Sequence, residues 1–260
     1  MKKTALITGA SNGIGLELAK VHARKGDNLV LVARNKTKLE ELQRELEEQY
    51  SIDVLAVEKD LSIKNAAQEV YDETNQKGIQ IDFLVNNAGF GDYGMFYTND
   101  WEKEQKMIEL NITTLTQFTK LYLRDMMKRN SGKIMNVAST AAFQPGPMMA
   151  VYFATKAYVL HFSEAIANEL KDKNITVTAL CPGATESGFQ AVASMEDSKL
   201  VKGKKLPSSR TVAQYGHRAM MKGKTVAIHG LINAILANSV RLMPRNIVTT
   251  ITRSIQDKAN

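Results

Sequence analysis

Three residues of this 260-residue chain have the types and spacing to move a proton. Tyr152 and Lys156 stand four apart in a stretch that reads as a helix, Val151–Lys171, so a phenol and an ammonium project from one face. A cation beside a phenol favours phenolate and draws its pKa below the unperturbed value of about 10, which suits Tyr152 to acid and base work near neutrality. Ser139 ends the strand-like run GKIMNVAS, where its hydroxyl can hydrogen-bond a reacting oxygen. Tyrosine and lysine at this spacing are common on helices. The pair gains weight from following directly on the loop after that strand.

A second set of residues suits a phosphate. TGASNGIG holds Gly9, Gly13 and Gly15, with Ser11, Asn12 and Ile14 between them, and runs into a helical pattern. Glycines let the backbone turn tightly and approach a pyrophosphate, whose charge the amides of a helix N-terminus favour. The spacing differs from G-x-G-x-x-G, so the glycines alone leave a purely structural turn open. After the next strand-like run, NLVLVAR, Ala33-Arg34 stand where an NAD site usually places an acid on the ribose. A carboxylate there repels a 2′-phosphate, whereas an arginine pairs with it. Arg34 therefore points to NADP(H) over NAD(H), with an exposed arginine near a helix start as the plain alternative.

These residues need a frame, and the rest of the chain predicts one. Apolar runs at TALITG, NLVLVAR, IDVLAVEKD, IDFLVNNAG, GKIMNVAS, ITVTALCPG and KTVAIHG alternate with helical patterns, among them Lys36–Tyr50 and a long Trp101–Arg129. Continuously apolar strands alternating with helices predict an α/β chain: a Rossmann-type, doubly wound parallel sheet of about seven strands with helices on both faces. Ligands then bind at the carboxyl ends of the strands, where the singled-out residues fall. No linker-like composition divides the chain, so residues 1–260 are expected to form one domain. The stretch 186–213, with Gly188, Gly203 and Pro207, has no clear period and is expected to be a mobile cover over the substrate.

Composition narrows the field further. The start, MKKTALITG, resembles a secretory leader, but Ala5-Leu6-Ile7 is far short of the 7–15 apolar residues such a leader needs. Export is not expected, and one cysteine, Cys181, in an apolar run fits a reducing, cytoplasmic setting and a small buried role. The net charge of +7 invites a nucleic-acid reading, yet basic and acidic residues interleave, as in NKTKLEELQRELEEQ. The basic stretch Lys199–Lys224 is the exception. It reads as a solvated loop and helix that an anionic substrate or an acidic membrane surface could also use. The four histidines lack metal-ligand spacing, so no metal is expected. No run is long enough to span a membrane. Phe143, Pro145, Met148, Met149 and Phe189 suggest an apolar substrate as well as they suggest core packing. The final segment, LINAILANSVRLMPRNIVTTITRSI, reads as core helices, a subunit contact or an interfacial membrane helix.

Together the motifs resemble the short-chain dehydrogenase/reductase family in its shorter, single-domain branch. T-G-x-x-x-G-x-G matches at Thr8–Gly15, N-N-A-G at Asn86–Gly89 and Y-x-x-x-K at Tyr152–Lys156, with Ser139 thirteen residues before the tyrosine. Asp60-Leu61, Asn111, Pro182-Gly183 and Thr185 match as well, so the resemblance runs from residue 4 to about 185. It implies Tyr152 as catalytic acid/base, Ser139 on the substrate oxygen, Lys156 on the nicotinamide ribose, and Asn111 in a proton relay. It implies a dinucleotide held by Gly9, Ser11, Asn12, Gly13, Ile14 and Gly15, flanked by Asp60, Leu61, Asn86 and Ala88, and met by Gly183 and Thr185. Many NADP-dependent members carry a basic residue where this chain has Asn12, so the NADP(H) reading rests on Arg34. The implied activity is hydride transfer between NADP(H) and a ketone or aldehyde, or the matching alcohol, in a homodimer or homotetramer. The alternatives are a non-catalytic NADP(H) sensor and a membrane-associated lipid or steroid reductase.

Overall fold

Each apolar run becomes a strand because its side chains are wanted on both faces of one sheet. In a computed structural model, which describes residues 2–189, 193, 195, 198–199, 203 and 205–257, seven strands pair in parallel. They are β1 (Thr4–Thr8), β2 (Asn28–Ala33), β3 (Val54–Glu58), β4 (Phe83–Asn86), β5 (Gly132–Val137), β6 (Ile175–Cys181) and β7 (Val226–Ile228). Their order is β3-β2-β1-β4-β5-β6-β7, so the chain winds outward from β1 to β3, then crosses back to β4. The reversal puts a crevice between the loops that leave β1 and β4.

The strand period of two assigns neighbours to opposite layers. Ala5 and Ile7 face the layer holding α1 (Gly13–Ala23) and α2 (Lys36–Tyr50), while Leu6 faces the layer holding α3 (Ala66–Gln76). Leu6 and Ile7 are wholly buried. Leu6→Ala would remove buried methyl groups and leave a void, destabilising by about 2–5 kcal/mol. In α2, Leu39, Leu42 and Leu46 form the buried stripe, and Asn35 caps the start by accepting from the Lys38 amide at 2.9 Å.

The long helix expected over Trp101–Arg129 is interrupted. It runs as α4 (Trp101–Ile108), a π-helical segment at Glu109–Thr114, and α5 (Leu115–Arg129). The wide turn falls on Asn111, and such insertions frequently mark functional sites. Trp101 starts α4 with its side chain 62% exposed. The helix α6 (Ala150–Glu169) turns Tyr152, Lys156, Val159 and Leu160 inward.

Beyond β6 come α7 (Ser209–Met221), which packs on α1, then α8 (Leu231–Ser239) and α9 (Arg245–Gln256). Much of the cover expected at 186–213 lies outside the described residues, namely 190–192, 194, 196–197, 200–202 and 204. Of the rest, Glu186 bridges to Ser208, and Ser209–Ala213 belong to α7. Among the described residues no helix is long and apolar enough to cross a membrane.

Candidate active site

The loops at the strand reversal wall a cleft of about 530 Å³. Gly9 and Gly13 hold φ of +66° and +57°, a region that side-chain-bearing residues rarely enter. A Cβ on Gly9 would stand 2.8 Å from Asn87 Nδ2 and 3.0 Å from Ala88 Cα, so the loop after β4 presses directly on the glycine loop. Thr8 fastens the two: its Oγ1 accepts from the amides of Asn87 and Ala88, both at 2.9 Å. Asn12 caps α1 by accepting from the Gly13 amide at 2.7 Å. Ser11, Asn12, Gly13 and Ile14 all line the cleft, as does Ala88.

Two residues of the expected cofactor set lie elsewhere. Gly15 is buried behind the loop, where a Cβ would stand 2.3 Å from the Gly9 carbonyl oxygen, so its role is helix-to-loop packing. Asn86 is buried inside the sheet, donating from Nδ2 to Thr119 Oγ1 at 3.0 Å and Asn136 Oδ1 at 2.9 Å. Asn136 continues the chain of bonds to Ser163 Oγ at 2.9 Å, tying β4 and β5 to α6. Asn87 is the asparagine in the cleft wall, and its Nδ2 donates to the Thr8 carbonyl at 2.9 Å.

Arg34 and Lys38 form a cationic corner of the cleft at the end of β2. Lys59 lines it too but pairs with Glu69 at 2.7 Å. Across from them, with Leu61 beside it in the wall, Asp60 accepts from the Ser62 amide at 2.9 Å and the Ser62 hydroxyl at 2.7 Å. Burial acts to raise the Asp60 pKa, but these two bonds and the charges of Arg34 and Lys106 outweigh it and hold the carboxyl below its usual value.

Ser139, Tyr152 and Lys156 meet at the centre of the cleft. Ser139 Oγ accepts from the Ala141 amide at 3.1 Å and donates to the Pro182 carbonyl at 3.4 Å, beside the Tyr152 phenol in the cleft wall. The expected depression of the phenol is not found. Burial pushes Tyr152 up to about 12, and the neighbouring Ser139 hydroxyl opposes this only in part. The reason lies in Lys156, which donates to the Val137 carbonyl at 2.8 Å and sits 5.8 Å from the tyrosine ring centroid. Burial also draws Lys156 itself down to about 8, against the influence of Cys181. Burial raises the buried Cys181 thiol to about 12, consistent with an inert small side chain.

Asn111 does not line the cleft. From the π turn its Nδ2 donates to the Phe90 carbonyl and to Thr155 Oγ1, both at 3.0 Å, while Oδ1 accepts from the Phe90 amide at 3.3 Å. Gly89 lies between: a Cβ there would stand 2.9 Å from Asn111 Oδ1 and 3.3 Å from Lys156 Nζ. Asn111 thus fixes the Phe90 loop against α6, on the far side of Gly89 from the cleft residue Lys156. Gly183 and Thr185 line the cleft beyond β6, with Thr185 Oγ1 donating to the Gly183 carbonyl at 2.9 Å.

The far end of the cleft is apolar. Phe90, Met149, Phe153, Phe189 and Met195 line it, whereas Phe143, Pro145 and Met148 do not. Thr252, Ile255 and Gln256 of α9 complete it, a contribution the motif reading did not anticipate. Tyr93 holds that helix down by donating to the Gln256 carbonyl at 2.7 Å. The available signal was the four-residue recurrence of Val248, Thr252 and Gln256, the buried stripe of α9.

Comparison with known proteins places this architecture. The family model described as short chain dehydrogenase matches residues 3–197. The very-long-chain 3-oxoacyl-CoA reductase of Anas platyrhynchos is 34% identical over 184 residues, covering 68% of this chain and 58% of that protein. Its Homo sapiens namesake is 28% identical over 259 residues, covering 96% and 80%. The 17-beta-hydroxysteroid dehydrogenase type 3 of Mus musculus is 34% identical over 186 residues, covering 70% and 60%. The chain therefore spans less than two thirds of the length of the duck and mouse relatives. Among solved structures, a short-chain dehydrogenase from Sphingobium yanoikuyae in complex with NADPH superposes with a TM-score of 0.82 at 29% identity, covering 92% of this chain and 94% of that one. A bulky-bulky ketone specific alcohol dehydrogenase from Comamonas testosteroni gives 0.79 at 29%, covering 92% of each. On the family match and the shared sheet, this chain belongs to the short-chain dehydrogenases.

Proposed function

We propose that the chain is an NADP(H)-dependent reductase interconverting a carbonyl and a hydroxyl on an extended, lipid-like substrate. The observation that carries this reading is one continuous cleft: cationic at Arg34 and Lys38, reactive at Ser139, Tyr152 and Lys156, apolar at Met149, Phe153 and Phe189. The 3-oxoacyl-CoA and hydroxysteroid specificities in the relatives' names support a long apolar substrate, and the Sphingobium complex supports NADPH.

The residues present fit a phosphorylated dinucleotide. Left-handed Gly9 and Gly13 let the chain turn tightly into the α1 N-terminus, and that helix end favours the charge of a diphosphate. Arg34, with Lys38 beside it, would pair with a 2′-phosphate. When bound, the dinucleotide supplies or accepts the hydride. Tyr152 holds its proton through neutral pH and would give it to a carbonyl oxygen as that oxygen gains negative charge. Ser139 would hydrogen-bond the same oxygen and fix its place. Lys156, with one N–H on Val137, retains two for a ribose hydroxyl, and its charge would steady the phenolate that remains. Phe153, Phe189 and Met149 exclude water from that exchange. A sensor without turnover would have no use for this arrangement.

The test is turnover of purified protein with NADPH and NADH against long-chain 3-oxoacyl thioesters, ketosteroids and small polar ketones. NADPH-dependent reduction favouring the long or polycyclic substrates is expected. Equal rates with NADH, or preference for small polar ketones, would overturn the reading.

A further inference from the structure

Two successive helices at the end of the chain leave apolar faces uncovered. On α8, Leu231, Ile232, Ile235 and Leu236 share one face, with Leu231 at 78% and Ile232 at 73% exposure. Leu242 follows at 88%. On α9 the stripe Val248, Thr252, Gln256 is buried, while the adjacent stripe Ile247, Ile251, Ile255 is about half exposed. Scattered apolar residues on a surface need no explanation, but eight large ones fall on these two helices and their link within 25 residues of chain, each 45–88% exposed, a density that marks a contact.

Charge identifies what fits that contact. From Ser198 to Gln256 the sequence has eleven lysines and arginines and no aspartate or glutamate. Arg241, Arg245 and Arg253, exposed among the apolar residues, make no ion pair among the described residues. A symmetric contact between two copies through this face would set arginine against arginine, which disfavours it. An anionic bilayer surface answers both features, taking the isoleucines and leucines into the acyl boundary and the arginines among the headgroups. Among the described residues no helix is long and apolar enough to cross a membrane, and α8 and α9 with their one-sided apolar faces are suited to lie on one.

We infer that α8 and α9 dock the protein on an anionic lipid surface. Ile255 belongs both to the exposed stripe and to the cleft wall, so the docking face reaches the mouth of the substrate cleft. An amphiphile held in the bilayer could then enter the apolar end without crossing water. The docking itself holds whether or not the substrate is a lipid.

Co-sedimentation of the full chain, with NADPH added, with vesicles of phosphatidylcholine or of phosphatidylcholine and phosphatidylglycerol is the test. Binding to the anionic vesicles, weakened by salt, is expected. Arg241→Gln should lower the partition by about fivefold, and the triple change Ile232→Ser, Ile235→Ser, Leu236→Ser by at least about tenfold. Far-ultraviolet circular dichroism and turnover of a water-soluble ketone should stay unchanged in both variants, which separates lost docking from lost folding. No sedimentation with either vesicle would overturn the inference. So would a dimer, seen by light scattering, that the triple change dissociates.

Discussion

Lys156 Nζ stands 5.8 Å from the centroid of the Tyr152 ring and gives a hydrogen bond to the Val137 carbonyl instead. The phenol and the ammonium expected to depress it are both displaced by burial, the phenol up to about 12 and the ammonium down to about 8. Each shift favours the neutral form, as expected for charges moved out of water.

For Lys156 this fixes a pH window. Its unfolded value, near 10.5, exceeds the folded one, so between about pH 8 and 10.5 the unfolded chain binds the proton more readily. Stability should rise with pH across that window. In urea unfolding of the dinucleotide-free protein, wild type should gain on Lys156→Met by roughly 1–3 kcal/mol between pH 8 and 10.5. Parallel pH curves for the two proteins would show that the ammonium is not strained in the folded state.

Tyr152→Phe removes one oxygen and leaves the ring that packs against Phe189, 5.3 Å away between centroids. Reduction should fall by about 10²–10⁴-fold, the usual contribution of a positioned acid. NADPH affinity, read by fluorescence titration, should stay within about twofold. Near-normal turnover in this variant would remove Tyr152 from the mechanism.

Arg34→Ala tests the cationic corner. A charge-assisted bond to phosphate contributes about 1.5–3 kcal/mol, so NADPH should bind roughly 10–100-fold more weakly. NADH, which lacks the 2′-phosphate, should bind nearly as before. If both dinucleotides weaken alike, Arg34 serves the loop and not the phosphate.

The parts of this site that depend on local chain chemistry were legible in the sequence. β1 reads as a doubly buried strand from five letters, and the glycine loop follows from its required left-handed turns at Gly9 and Gly13. Adjacent identical residues were harder. Asn86 and Asn87 differ in role because Asn86 pairs in register with Asn136 on β5, which turns it into the sheet and leaves Asn87 to the cleft. Nothing local distinguishes them. The phenol's raised pKa depends on where Lys156 finds its partner, a matter of burial and not of spacing. The C-terminal wall rests on a contact between Tyr93 and Gln256, 163 residues apart, which no motif encodes.

His217 meets the wholly buried His22 edge-on, with ring centroids 4.9 Å apart, and neither lines the cleft. His22 is already committed to Asp27 at 2.7 Å, so His217 has no carboxylate of its own there. Burial first, and then the nearby His22, bring the His217 pKa down to about 4. The unfolded chain takes that proton near pH 6.5, so stability should be full above about 6.5 and fall as pH drops toward 4. His217→Gln should flatten this acid limb, by roughly 1–3 kcal/mol when urea midpoints at pH 7 and pH 4.5 are compared. An unchanged limb would assign the acid sensitivity to other groups.

Gln256 carries the last prediction. Both ends of its side-chain amide are buried without a hydrogen-bond partner among the described residues, although its backbone carbonyl accepts from Tyr93 and from Ser198. A buried, unpaired polar group costs about 1–3 kcal/mol, which an apolar side chain of similar length avoids. Gln256→Met keeps the backbone bonds and the α9 stripe, so it should raise the melting temperature by several degrees. A lower melting temperature would mean that the amide is paired in solution.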